Sequence, residues 1–250
     1  MLPTTIDDVL ARLNHLLDEA IRDGRRIGYF VALYERVTSN VRHALIAGNV
    51  FDDGPRMETL DVVFANRFIE AWEQHVAGQK PTASWGAAFS WLEDPGPLVV
   101  QHLMLGMNAH INLDLGIAAA TVAPTPAQLD ALHADFNRIN DVLARLVKIV
   151  EVQLTTICPP LSRLADLMTV EERIFDFGMA ASRDIAWRLA QDLVAAQRGE
   201  WPRIIARRDA LSAIAARALY PLDGVARVTA LAVHDHECRD IRFNIQVVSS

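Results

Sequence analysis

The stretch Gln101-His-Leu-Met-Leu-Gly-Met-Asn-Ala-His-Ile-Asn-Leu-Asp-Leu-Gly116 has the apolar content of a buried helix, yet it carries His102, Asn108, His110, Asn112 and Asp114. A surface helix divides into one apolar and one polar face. Here, at about 100° per residue, His102, Gly106, His110 and Asp114 form one row and Gln101, Asn108 and Asn112 form another on nearly the opposite side. The remaining positions are mostly Leu, Met, Ile and Ala. Such a helix is stable only when other helices surround it. Its polar groups must find partners there, because a buried unpaired one costs roughly 1–3 kcal/mol.

The rest of the chain supplies those helices. Turn signals at Asp52 to Pro55, Gly78 to Pro81, Asp94 to Pro97, Pro124 to Pro126, Cys158 to Pro160, Gly199 to Pro202 and Pro221 to Gly224 divide it. Apolar spacing between them predicts about nine helices, over about 5–22, 26–48, 56–77, 82–92, 98–119, 127–157, 169–198, 202–219 and 224–247. Thr125 before Pro126 reads as an N-cap, and Thr169 with Glu172 as a capping box. The last segment admits a short strand at 241–248, but Leu231, His234, Cys238, Ile241 and Ile245 recur at helical spacing, which favours helix. The expected fold is all-α, one domain over residues 1–250, a compact bundle around helix 98–119.

Composition narrows the function. An apolar fraction of 51% supports a sizeable core, and a net charge of −7 disfavours nucleic acid and anionic membrane surfaces. No apolar run reaches the ~20 residues that span a bilayer. The N-terminus lacks a signal-peptide pattern, and Cys158 and Cys238 belong to no CxxC, so a cytoplasmic chain with reduced thiols is expected. Glycine-rich nucleotide loops, HExxH, GxSxG and Glu-x-x-His pairs are absent.

The candidate site follows from inward polar residues. On 56–77, Asp61 falls amid Leu60, Phe64, Phe68 and Trp72, while Asn66, Arg67, Glu70 and Glu73 point away. On 26–48, Tyr34 and Thr38 lie on the apolar face. On the last helix, His234 and Cys238 point inward, and His236 and Glu237 form a solvated face. The five tryptophans read as packing residues. Gly106 leaves one turn bare between His102 and His110, which lie about 12 Å apart along the axis. The expected pocket is therefore lined by 26–48, 56–77 and 98–119, with His110 on its wall and Gly106 beside it.

Three readings fit these residues. In the first, an enzyme acts on a small, largely apolar molecule. His110 is the acid or base, Asp114 or Asp61 orients it, and His102 meets the substrate's far end. Asn108 and Asn112 bond a developing oxyanion or tie the helix to its neighbours, and Tyr34, Thr38, Phe64 and Phe68 line the site. Proton abstraction from an activated carbon suits this set, as in an isomerase, a hydrolase or a cofactor-independent oxygenase of specialised metabolism. In the second, one divalent Zn or Fe ion sits on His110 and Asp114, about 6 Å apart along the axis, with Asp61 and a further His or Tyr34. In the third, the polar stripe only fixes helix register in a non-catalytic binder or packing module.

The central motif resembles that of an actinobacterial-type family known only as a domain of unknown function. The segments Leu60-Asp-Val-Val-Phe-Ala-Asn-Arg-Phe68 and Asp135-Phe-Asn-Arg-Ile-Asn140 share the likeness, which runs from about Ile27 to Leu193. It implies a helical protein with this stripe as its signature and transfers no catalytic role.

Overall fold

Burial on all sides of one helix organises this molecule. A computed structural model of the chain describes residues 1–160, 171–220 and 232–250, without the side chains at 141, 142, 144, 145, 147 and 171–180. The central element runs through α5 (Val99–Ala109), a π-helical turn (His110–Leu115) and α6 (Gly116–Val122) with no interruption. Val99, His102, Leu103, Leu105, Ala109, Leu113, Asp114, Leu115 and Ala118 to Ala120 are all buried. At its start, Gln101 Oε1 accepts from the Leu98 backbone N–H and the Glu237 carboxylate accepts from Val99 N–H at 3.0 Å. These bonds satisfy donors that a helix N-terminus leaves unpaired. Glu237 is thus a cap, where the sequence suggested a solvated face. The helix ends at Ala123, ahead of Pro124.

Other helices pack around it: α1 (Ile6–Asp23), α2 (Ile27–Ala47), α3 (Gly54–Val76), α4 (Ala83–Phe89), α7 (Pro126–Ile157), α8 (Glu171–Ala195), α9 (Trp201–Leu219) and α10 (Ile241–Ser249). No strand occurs among the described residues, and the fold is all-α. Side-chain caps mark several starts: Thr5 accepts from Asp8 N–H, Asp53 from Arg56 N–H and Thr125 from Gln128 N–H. α2 and α9 pack against α5, α3 and α8 against α6, and α8 also against the π turn. No helix among the described residues is long and apolar enough to cross a membrane.

Two expectations change. The helix predicted over 82–92 stops at Phe89. The single last helix over 224–247 is broken: residues 232–234 are helical, the chain turns, and α10 starts only after Asp240, whose side chain accepts from Arg242 and Phe243 N–H. Residues 221–231 and the Thr169 end of the expected capping box lie outside the described residues. Cys158 and Cys238 form no disulfide among the described residues. Their segments meet where Cys238 N–H donates to the Ile157 carbonyl.

Candidate functional site

The π turn starts at His110, and a wider turn of this kind is frequent at functional sites. It brings His110 and Asp114 to one side, with Nδ1 of His110 3.2 Å from Asp114 Oδ2. Asp114 is fully buried and has three partners. Arg67 Nε donates to Oδ1 at 2.7 Å, and Trp85 Nε1 donates to Oδ2 at 2.8 Å. Burial by itself raises a carboxyl pKa. Here the Arg67 charge and the bonds from His110 and Trp85 more than offset it and hold Asp114 below its ordinary value. Asp114 is therefore an ionised acceptor.

Arg67 corrects the sequence reading, which turned it outward. Its three methylenes carry the guanidinium back across α3 to the carboxylate. Trp85 likewise does more than pack. Its signal in the sequence was its spacing with Ala88 and Phe89, which gives it an inward face on α4 but not a partner.

His110 is 3% exposed and sits in an aromatic cage. Phe64 stacks on its ring at 3.6 Å and 8°, and the Tyr34 ring meets it edge-on at 4.6 Å. Burial lowers its pKa below the ordinary histidine value, so the ring is neutral near pH 7. Its Nε2 has no hydrogen-bond partner among the described residues. His110, Tyr34, Asp61 and Phe64 line one cavity of about 80 Å³, between α2, α3, the π turn and α7, whose Ile139, Leu143, Leu146 and Val150 form an apolar wall. That volume is about half of the ~150 Å³ of an engineered cavity that binds benzene.

The polar atoms on this wall are incompletely satisfied. Asp61 is buried with Oδ2 unpartnered, and burial, aided by Glu58, pushes its pKa up to about 7. Among the described residues the Tyr34 hydroxyl has no partner beyond that of Thr38, which is wholly buried behind it and, contrary to expectation, does not line the cavity. Burial and the nearby Asp61 and Asp114 carboxylates push the Tyr34 phenol well above its usual value. Arg183, from α8, also faces the cavity. Sequence reasoning missed it, although it shares helical spacing with the buried Ala186, Ala190 and Leu193.

The other expected residues lie elsewhere. Phe68 packs behind the site against Phe30, Tyr34 and Trp85. Gly106 does not border the cavity: a Cβ there would meet Phe30 Cδ2 at 2.4 Å. Phe30 on α2 fills the bare turn, so the glycine is a helix contact. His102 lies with Gly106 around a separate void of about 10 Å³. Phe30 lines both spaces and stands between them. Burial, aided by the Arg26 charge, lowers His102 to about 4, and among the described residues both its ring nitrogens lack hydrogen-bond partners.

Asn108 and Asn112 turn toward α9. Asn108 Nδ2 donates to the Ser212 carbonyl, and Asn112 Nδ2 donates to Asn108 Oδ1. Asn108 thus ties the central helix to α9, one of the two roles expected of the pair, while Asn112 only holds Asn108, and neither lines the cavity. The metal set His110, Asp114 and Asp61 is not assembled. Among the described residues no three His, Cys, Asp or Glu side chains are placed to hold an ion. Both Asp114 oxygens are already occupied by Arg67, Trp85 and His110.

The chain belongs to a family of unknown function (DUF5995), whose model matches residues 6–221, a longer span than the expected Ile27 to Leu193. It matches no curated protein and no solved structure.

Proposed function

We propose that this member of the family is an enzyme that encloses a small, largely apolar molecule in the cavity and moves a proton on it with His110. The observation that carries the reading is the oriented imidazole. Ionised Asp114 has no proton to give, so Nδ1 of His110 is the donor to it and Nε2 keeps its lone pair, unpartnered beside the cavity. Nε2 takes a proton from a carbon next to a carbonyl, and the electron pair stays on the ligand as an enolate. The imidazolium that forms is offset by the Asp114 charge, which Arg67 and Trp85 hold in place. Asp61, with its pKa near 7, is the group on the same wall suited to return a proton.

Catalysed hydrogen exchange tests the chemistry. Small ketones such as acetone and 2-butanone, incubated with the protein in deuterated water, are expected to take up deuterium next to the carbonyl. His110→Ala is expected to abolish the uptake. Undiminished exchange in that variant removes His110 from the mechanism.

The stacking of His110 on Phe64 favours a second reading, in which the ring is a wall of a non-catalytic binder. Ketone binding without exchange by the unaltered protein selects that reading over the first.

A further inference from the structure

Arg183 is 4% exposed, yet among the described residues it has no acidic partner. Its Nη2 donates to the Phe136 carbonyl, and its guanidinium carbon lies 4.3 Å over the Phe136 ring. Its Nε has no hydrogen-bond partner among the described residues. Among the described residues no carboxylate forms an ion pair with it. Neighbouring Asp184 acts on it only at a distance and is itself exposed. Buried cations are ordinarily paired, because an unpaired charge in an apolar interior is expensive. The other arginine at this site obeys the rule, with Arg67 ending on Asp114. Arg183 instead borders the cavity.

We propose that the cavity takes a small monocarboxylic acid, its carboxylate bound by the free edge of Arg183 and its apolar body lying along Leu143, Leu146 and Ile139. This rests on the reading of the cavity as a ligand site and names the class of molecule it accepts. One guanidinium balances one negative charge. A phosphate carries more charge than this wall offsets, and a space of about 80 Å³ among apolar side chains disfavours its hydration shell. A neutral ligand leaves the arginine unpaired. Arg183 sits on α8, whereas Tyr34, Asp61 and His110 come from α2, α3 and the π turn. The acid group and the reacting carbon are therefore held by different walls.

The test compares matched ligands. Propanoate and butanoate are titrated against 1-propanol and 1-butanol by ligand-observed NMR, with inorganic phosphate as a third probe. The unaltered protein is expected to bind the acids at least about tenfold tighter than the alcohols, the size of one charge-assisted hydrogen bond. Arg183→Met is expected to erase that preference while alcohol binding persists, and Arg183→Lys to keep part of it. Equal affinity for acid and alcohol in the unaltered protein overturns the proposal and leaves the cavity reading standing. The same holds if a folded Arg183→Met keeps the preference. Phosphate that binds through Arg183 more tightly than butanoate overturns the carboxylate class. Binding of neither acid nor alcohol removes the cavity reading and this one together. The preference of the unaltered protein decides the matter even if the variants do not fold.

Discussion

Asp61 and Asp114 are two buried carboxyls with opposite fates, set by partners rather than by depth. Asp114 has a guanidinium, an indole N–H and an imidazole N–H, and stays ionised. Asp61 has one oxygen with no partner and a second acid, Glu58, nearby, and burial pushes it up to about 7. Because its folded pKa lies above the unfolded value of 3.8, the fold favours protonated Asp61, and ionising it costs stability. Its contribution is fully present below about pH 4 and is lost as pH rises through about 7. At 1.36 kcal/mol per unit the whole loss is at most about 4 kcal/mol. Asp61→Asn should remove this pH dependence. Denaturant unfolding of both proteins is expected to show the variant gaining on the parent by roughly 2–4 kcal/mol between pH 4 and pH 8. A stability difference that does not change with pH contradicts the buried, unpartnered carboxyl.

At the scale of elements, the helices were legible because 3.6-residue periodicity is a local signal. Spans such as α2 and α7 agree with the expected ones to within about two residues. The central helix was legible for the same reason, but its π turn was not, since nothing in His110-Ile-Asn-Leu-Asp-Leu115 marks a wider turn. Asp61, Tyr34, Phe64 and His110 were recognised as one set because polar residues on apolar faces stand out. Arg67, Trp85 and Arg183 were not, because a long or aromatic side chain reaches partners that spacing does not encode. Gly106 was misread for a related reason. A bare turn in a sequence says that something approaches closely, without saying whether it is a ligand or Phe30. A helix-interior Gly→Ala change ordinarily stabilises by roughly 0.5–1 kcal/mol. Here the contacts reverse the sign. At Gly116 a Cβ would meet the Ala186 backbone oxygen at 2.5 Å and Leu189 Cβ at 2.9 Å, so α6 and α8 must separate. At Gly106 the obstacle is the Phe30 ring, which can shift toward the cavity. Both substitutions are expected to destabilise by about 1–3 kcal/mol, Gly116→Ala the more. Gly106→Ala alone should also weaken ligand binding. A stabilising Gly106→Ala in chemical unfolding contradicts the close contact with Phe30.

Across the whole molecule, the described residues form two large clusters of buried apolar side chains, and the central helix belongs to both. Val99, Leu103, Leu105 and Ala109 lie in the cluster with α1, α2, α4 and part of α3. Leu113, Leu115, Ile117 and Ala118 to Ala120 lie in the one built with α8 and the first half of α7. Phe64 packs against both, and the His110 cavity draws its walls from both: Phe30 and Tyr34 on one side, Met57, Leu60 and Leu115 on the other. Neither cluster can lose its structure without stripping burial from a helix the other depends on. Calorimetry is therefore expected to show one transition, with calorimetric and van't Hoff enthalpies equal. A ligand held at the junction touches both clusters and should move that transition as a whole. At one hundred times its dissociation constant it adds about 2.7 kcal/mol. For a chain of this length that raises the midpoint by roughly 5–10 °C. Butanoate at such an excess is the probe. Two resolved transitions, or one of two shifting alone, shows that the clusters unfold independently and that the central helix does not couple them.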